Sequence, residues 1–249
     1  MLCGTYEDLI YAYRRMMGQP GFTFVAVLIL AVGIGVTTAM SSTIKAALLS
    51  RLPFDEPDCL VMGRATFDGN VNPWVSGYDY YDYKEQSQSF ESLSALFAFG
   101  NRVTVVGGAE PERIAGGFVT WDLFHTLRVR PAVGRLFAAE EGAAGRSNVV
   151  MISYGYWQRR FGGSPDVVGS TLIVNGNPLT IIGVMPAGFY FLDNLDIWRL
   201  TYYNGPGAQA RRRRNLLLVG RLKPGITIQQ AQSEMDLISR RLEEQYPDT

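Results

Sequence analysis

The sequence has very little of the chemistry on which most metal sites and many active sites depend. Among its 249 residues there is one histidine, His125, and there are two cysteines, Cys3 and Cys59. A single histidine excludes the usual histidine-rich zinc sites. The 23 basic and 23 acidic residues cancel, so no large electrostatic field points to nucleic acid or to an acidic partner.

Motifs for nucleotide binding and for nucleophilic catalysis are also missing. The sequence contains no G-x-x-x-x-G-K-[ST] stretch to cradle phosphates and no G-x-S-x-G stretch to present a serine. Gly33 and Gly35 begin a G-x-G pattern, but Thr38 stands where the third glycine belongs. Small residues at these positions favour close helix–helix contact instead. We therefore predict a non-enzymatic protein with no catalytic, cofactor-binding or metal-binding residues.

Four polar features remain as candidate sites, and each has a simpler explanation. His125 lies in an apolar stretch that predicts a packed histidine. Asp79 and Asp82 share one helix face, as many solvated pairs do, and Glu140–Glu141 predict a turn or the start of a helix. The four arginines at residues 211–214 could grip a polyanion, but a solvated loop is the interpretation we favour.

Long hydrophobic runs are absent except for one near the amino terminus. Residues 21–49 carry a single charge, Lys45, and residues 22–40 approach the roughly 20 apolar residues that a helix needs to cross a bilayer. A cleaved signal peptide would have a shorter apolar core, roughly 7–15 residues long. A buried core helix would show a polar face. The run predicts a transmembrane helix, with the other two as alternatives.

The orientation of this helix is predicted from the segment before it. The flanking charges are even, since Arg14 and Arg15 precede the run while Lys45 and Arg51 follow it. Residues 6–17 have apolar side chains at helical spacing, which is typical of an amphipathic helix on a membrane surface. We therefore predict that the amino terminus lies inside and the rest outside.

This topology separates the two cysteines. Cys3 and Cys59 would lie on opposite sides of the membrane and could not pair. The outer part of the chain would then fold without a disulfide, which suits a domain large enough to bury its own core.

After residue 50 the sequence alternates between short strands and helices. Strands are predicted at 60–67, 92–99, 102–108, 113–120, 148–153 and 215–222, and helices at 76–88, 121–128 and 154–161. Asn175-Gly176 predicts a hairpin within residues 171–185, and Pro178 favours a slightly longer loop. Whether the tyrosines at 78–83 belong to the core or to a contact surface stays open.

The last helix has the clearest pattern. Thr227 and Gln230 form a T-x-x-Q capping box. An apolar stripe follows at three- and four-residue spacing, which predicts a helix packed on a sheet. The stripe consists of Ile228, Ala231, Met235, Ile238 and Leu242.

Together these patterns predict an α+β fold. One N-terminal transmembrane helix precedes an extracytoplasmic lobe, in which a βαβ-like subdomain holds an inserted, β-rich mixed subdomain at roughly residues 104–200. We place a cytoplasmic amphipathic segment at residues 1–20, the transmembrane and stalk helix at 21–50, and the outer lobe at 51–249.

Several stretches resemble one protein family in the same order. They are residues 14–40, 47–61, 123–137, 149–176, 180–189 and 221–247. The first two are similar to the first span of a family of bacterial ABC-transporter permeases, and the others to its MacB-like periplasmic core domain, most of all in the duplicated permeases of the acidobacterial type. The resemblance extends over about residues 6–248.

The resemblance implies a stalk helix, a periplasmic lobe of two subdomains and a role in export or another envelope task. In such permeases movement of the outer domain is coupled to cytoplasmic ATP hydrolysis. It also implies partners: a separate ABC ATPase, the rest of the permease, a homodimer in the full-length form, and a periplasmic adaptor or outer-membrane protein. The inner membrane is the implied location.

The sequence departs from the family pattern in two ways. Arg128 stands where relatives tend to have glycine, so a turn with positive φ would be strained or different here. Relatives also carry further spans after the core domain, so we expect this chain to be an amino-terminal fragment or a truncated gene product.

Two other functions stay open. The chain could be a single-pass, membrane-anchored module that binds a protein, peptide or lipid in the periplasm. It could also be an exported hydrolase, although no coherent catalytic set supports that alternative.

Overall fold

The computed structural model describes residues 21, 24, 28–31, 33–34, 54–67, 70–72, 74–97, 101–107, 110–143, 146–201 and 211–247. The chain separates into two units, Met1–Leu52 and Pro53–Thr249. In the first unit the described residues are helical, and their large apolar side chains are exposed. Among the described residues, no helix has both the length and the apolar character needed to cross a membrane. Most of the predicted span and all of the predicted amphipathic segment lie outside them.

The second unit mixes helices and strands. Its α-helices are α1 (Gly77–Gln86), α2 (Leu123–Thr126), α3 (Tyr154–Phe161) and α4 (Ile228–Gln245). Its strands are β1 (Leu60–Gly63), β2 (Ala65–Phe67), β3 (Asn70–Asn72), β4 (Val75–Ser76), β5 (Phe90–Phe97), β6 (Arg102–Val106), β7 (Glu112–Val119), β8 (Val133–Gly134), β9 (Val149–Ile152), β10 (Thr171–Val174), β11 (Asn177–Val184), β12 (Ile197–Leu200) and β13 (Arg214–Leu222). The mixed α/β character expected from the sequence is confirmed.

One part of the unit is a split βαβ arrangement. Strand β13 pairs antiparallel with both β1 and β5, so β1 and β5 run parallel and α1 connects them. Helices α1 and α4 pack on one face of these strands, where Tyr80 and Tyr83 of α1 meet Ile238 and Leu242 of α4. Two of the tyrosines whose place the sequence left open therefore belong to the core.

Six of the seven described strands between β5 and β13 form a closed ring, and the seventh, β8, pairs with β11 outside this order. Each strand in the order β7, β12, β9, β11, β10, β6 pairs with the next, and β6 pairs back with β7. Strand β7 belongs to both parts, since residues 112–115 pair with β6 and residues 118–119 pair with β5. The ring buries an apolar cluster of its own that includes Val105, Val150, Ile181 and Ile197.

Caps explain where three of the helices begin. The hydroxyls of Ser76, Ser153 and Thr227 each accept a hydrogen bond from a backbone amide of the first turn. Thr227 and Gln230 form the predicted capping box, which is confirmed. Within the α4 stripe Ala231, Ile238 and Leu242 are buried, but Ile228 is 59 % exposed, so the sheet does not cover the start of the stripe.

The hairpin at Asn175-Gly176 is tighter than we expected. Val174 pairs directly with Asn177, so the loop has two residues, and both have positive φ, at 50° and 80°. Pro178 is tolerated because it occupies the next pair along the ladder, where an N–H points away from the partner strand. On its other side β11 begins to pair with β9 only at Thr180, so no hydrogen bond is lost. The expectation of a longer loop is wrong.

Candidate functional site

The most unusual side chain in the lobe is a buried arginine in the middle of an apolar strand. Arg221 of β13 is 1 % exposed. Burial of a guanidinium is costly unless its N–H groups find partners. Burial, helped by the nearby positive charge of Arg128, lowers the pKa of Arg221. The position is therefore tolerated only because of what the guanidinium binds.

The guanidinium of Arg221 donates to three backbone carbonyls. Its Nε donates to Thr126 O at 2.8 Å, and its two terminal nitrogens donate to Asp55 O at 2.9 Å and Glu56 O at 3.2 Å. Thr126 is the last residue of α2, whose final carbonyls have no partner within the helix. Asp55 and Glu56 belong to the first described stretch of the lobe. One side chain thus ties the start of the lobe to β13 and to the end of α2.

A second arginine holds the same stretch from outside. Arg128 donates to Glu56 at 2.5 Å and to Glu91 at 3.0 Å. Hydrogen bonding with Glu91 is the main cause that raises the pKa of Arg128. We call Arg128 and Arg221, together with the carbonyls and carboxylates they bind, the arginine clamp.

The backbone at Arg128 has a conformation that glycine adopts more easily than any other residue. Arg128 has φ 53°, and the amides of Arg128 and Val129 bond to the carbonyls of His125 and Phe124. This is the Schellman pattern that ends a helix with one left-handed residue. The positive φ is therefore kept in spite of the side chain, at a cost of roughly 1–2 kcal/mol. Of the two outcomes that we expected, a strained turn or a different one, the structure has the strained turn, and the two ion pairs of Arg128 offset part of the strain.

An aromatic contact completes the attachment of the first residues. Phe54 is buried, and its ring meets the rings of Phe189 and Phe191 edge-on at centroid distances of 6.2 and 5.6 Å. Phe189 in turn packs against Phe124 of α2. Residues 54–56 are thus fixed by an apolar anchor and by the arginine clamp together. The arrangement suits mechanical attachment, and it brings together no nucleophile with a base.

The family is decided by the sequence match. The profile of the MacB-like periplasmic core domain family matches residues 23–238. The chain belongs to this family. The resemblance drawn from the separate stretches is therefore confirmed.

Solved structures with the same fold support this assignment. The MacB-like domain is similar to the periplasmic region of MacB from Actinobacillus actinomycetemcomitans, with a TM-score of 0.54, 13 % identity, and coverage of 74 % of this chain and 84 % of that one. It is also similar to a domain of a permease protein from Porphyromonas gingivalis, with a TM-score of 0.56, 16 % identity and coverage of 78 % and 87 %. The extracellular domain of the noncanonical ABC-type transporter YknZ from Gram-positive bacteria gives a TM-score of 0.53, 14 % identity and coverage of 76 % and 96 %. At these identities the likeness concerns the fold. No curated protein matches the chain.

The run of arginines in the MacB-like domain does not form the solvated loop that we expected. Arg211 is 7 % exposed and pairs with Asp79 at 2.9 Å and with Asp82 at 2.7 Å. Its guanidinium also stacks on the ring of Tyr246, 3.8 Å from the centroid. The expectation is wrong for Arg211, and each of the two aspartates forms an ion pair with it. Only Arg212 and Arg213 of the run are exposed.

The other sequence candidates have structural roles. His125 is exposed, and its ring lies 3.0 Å from the carbonyl of Phe137 and beside the ring of Trp121, so a polar partner holds the ring and the core does not bury it. Glu140 and Glu141 lie in a 3₁₀ turn, as expected. Among the described residues, no group of three or more His, Cys, Asp or Glu side chains could hold a metal ion.

Sequence reasoning missed the arginine clamp. One signal was present, because Arg221 interrupts the apolar run from Leu216 to Leu222, and an inward charge in a strand needs a partner. The carbonyl partners leave no mark in a sequence. Arg128 was noticed, but only as a departure from glycine.

We predict that Arg221→Met lowers the free energy of unfolding by roughly 2–4 kcal/mol, because one buried carbonyl and two part-buried carbonyls lose their donor. Urea unfolding of the full chain in detergent measures this. Arg213→Met, at an exposed arginine, is the matched control and should change the value by less than about 0.5 kcal/mol. Equal effects of the two variants would contradict the role given to Arg221.

We also predict a pH effect from Glu141. Its hydrogen bonds with Arg135, together with the Ala138 amide, hold the pKa of Glu141 below its ordinary value. A lowered pKa in the folded state stabilises the fold above the unfolded pKa of about 4.3, and this stability is lost as the pH falls through the folded value. Between about pH 7 and about pH 3 the free energy of unfolding should therefore fall less for Glu141→Gln than for the wild type. The control is Glu140→Gln at the exposed neighbouring residue, whose stability should vary with pH as that of the wild type does. If the stability of Glu141→Gln also varies with pH as that of the wild type does, the role given to Glu141 is wrong.

Proposed function

We propose that the MacB-like domain is the extracytoplasmic part of an ABC-transporter permease and that it transmits movement between a membrane-spanning segment and the outer lobe. The observation that carries this proposal is the arginine clamp. It fixes residues 54–56, at the start of the second unit, to β13 and α2. Force applied to that segment would reach the core without a flexible joint. The proposed role needs no catalytic residue.

The membrane location rests on the N-terminal unit. We propose that residues 22–40 cross the bacterial inner membrane, that residues 1–20 lie on the cytoplasmic side, and that the lobe lies outside. The helical residues Phe24, Leu28, Ile29, Leu30 and Ile34 are each between 51 % and 67 % exposed. Exposed apolar side chains in such number mark contact with a membrane or with a partner. Structures similar to the lobe come from a periplasmic region and from an extracellular transporter domain.

The proposed partners follow from family membership and from the missing phosphate-binding loop. ATP hydrolysis would come from a separate ABC ATPase subunit, since the sequence has no G-x-x-x-x-G-K-[ST] stretch. Further permease spans, a homodimer, and a periplasmic adaptor or outer-membrane protein would complete the machine. Export from the periplasm is the task that we propose.

A second candidate function is a membrane-anchored binding module. A cleft of about 380 Å³ beside α4 favours it, because this volume falls in the range of ligand pockets. Such a module would have the same membrane topology but would not respond to ATP. This difference separates the two candidates.

The test uses Cys59 as a reporter, because it is half-buried in the turn that directly follows the clamped residues. In intact cells an impermeant maleimide should label Cys59 and leave Cys3 unlabelled until the membrane is opened. In opened membrane vesicles of the native host, ATP should change the labelling rate of Cys59. The change should be lost in Arg221→Met and kept in Arg213→Met.

Each arm has its own contrary outcome. Labelling of Cys3 from outside would overturn the proposed orientation. A Cys59 rate that ATP never changes, in vesicles whose ATPases are active, would favour the anchored binding module over the permease role.

A further inference from the structure

A cleft opens between helix α4 and the strand at the edge of the sheet. Its volume is about 380 Å³. The floor is apolar, with Val61, Phe90, Leu93 and Leu218. Helix α4 forms the opposite wall over nearly its whole length, from Ile228 to Glu243. The cleft is therefore a groove along the edge of the sheet and is distinct from the arginine clamp.

The strand beside the cleft has a free edge. Within the described residues β1 pairs only with β13 and ends the order of strands. Three of its four residues, Val61, Met62 and Gly63, line the cleft. An edge strand presents unpaired backbone N–H and C=O groups that another strand can bind. The hydrogen-bonding edge and the apolar groove thus lie together.

Two large apolar side chains at the cleft are left exposed. Met62 of β1 is 45 % exposed and Ile228 of α4 is 59 % exposed, from opposite sides of the groove. Ile228 belongs to the apolar stripe of α4, which is the side of the helix that faces the sheet. It is therefore exposed because nothing covers this end of the stripe, although its position on the helix faces the sheet. A ligand in the groove would cover both side chains.

The charges of the lining are balanced. Three arginines (Arg64, Arg214, Arg240) face three acids (Asp79, Asp236, Glu243). A lining with no net sign disfavours nucleotides, polyanions and other ligands of one strong charge. It suits a ligand that is neutral along its backbone and carries apolar side chains.

We infer that this cleft binds an extended peptide segment of another protein, which adds as a strand to the free edge of β1. Strand addition gains affinity from main-chain hydrogen bonds and specificity from pockets for alternate side chains. Here the edge of β1 would supply the main-chain hydrogen bonds. The floor between β1 and α4 would hold one apolar side chain of the peptide. The inference goes beyond the proposed permease role and does not depend on it.

The probe is a capped peptide of about eight residues, the length of a short strand, in which threonine and valine alternate around a central leucine. Binding to the full-length chain in detergent is measured by titration calorimetry. The same peptide with alternate amides N-methylated has the same apolar surface but lacks N–H donors. We expect saturable binding of the first peptide and binding about tenfold weaker, or about 1.4 kcal/mol, for the second.

Two neighbouring surface positions on α4 provide matched variants. Gln232 and Ser233 are both exposed, and each makes one hydrogen bond within its own helix, to Asp236 and to the carbonyl of Gln229. Only Gln232 lines the cleft. Gln232→Trp should weaken peptide binding about tenfold, whereas Ser233→Trp should leave it within about twofold.

Results of three kinds would overturn the inference. The first is no saturable peptide binding up to about 1 mM, a concentration that detects even weak complexes. The second is equal binding of the N-methylated peptide or equal effects of the two tryptophan variants. The third is saturable binding of dodecanoate alone, lost in Gln232→Trp, which would make the cleft a lipid site. None of these results bears on the ATP-dependent labelling of Cys59.

Discussion

The organisation of the lobe depends on one buried guanidinium. Because Arg221 is desolvated in β13, its N–H groups must meet acceptors at fixed positions. The acceptors come from two segments far apart in the sequence, namely the first described residues of the lobe and the end of the short helix α2. Helix α2 follows β7, the strand that joins the split βαβ part to the ring. Thus the first described segment of the lobe, the sheet and the helix that follows β7 meet at a single side chain.

The cost of this arrangement is visible in the backbone. Glu56 and Arg128 both adopt positive φ, at 48° and 53°, and they form an ion pair with each other. Glycine would relieve the strain at residue 128 but would remove the cation that holds Glu56 and Glu91. At this turn the chain therefore accepts a strained residue that adds an attachment, where a relaxed glycine would add none.

The sequence predicted local elements better than long-range contacts. Helix α4 and its capping box were predictable because capping and apolar spacing act within a few residues. The tight loop at Asn175-Gly176 was misjudged, because the effect of Pro178 depends on the ladder position that it occupies. The solvated loop expected at residues 211–214 failed for the same kind of reason. Arg211 finds Asp79, which is 132 positions away in the chain, and no local pattern announces such a pair.

The most direct test of this account is amide hydrogen exchange on both sides of Arg221. The amide of Cys59 bonds to Glu56 O, and the amide of Val129 bonds to Phe124 O, so each reports one side of the clamp. In Arg221→Met both amides should exchange faster by about tenfold or more. The backbone amide of Ile181, which lies in the closed ring of strands and bonds to Ser170 O, should keep its rate. That result would show that one side chain holds the two segments together. Unchanged exchange at Cys59 and Val129, or acceleration at only one of them, would contradict the account.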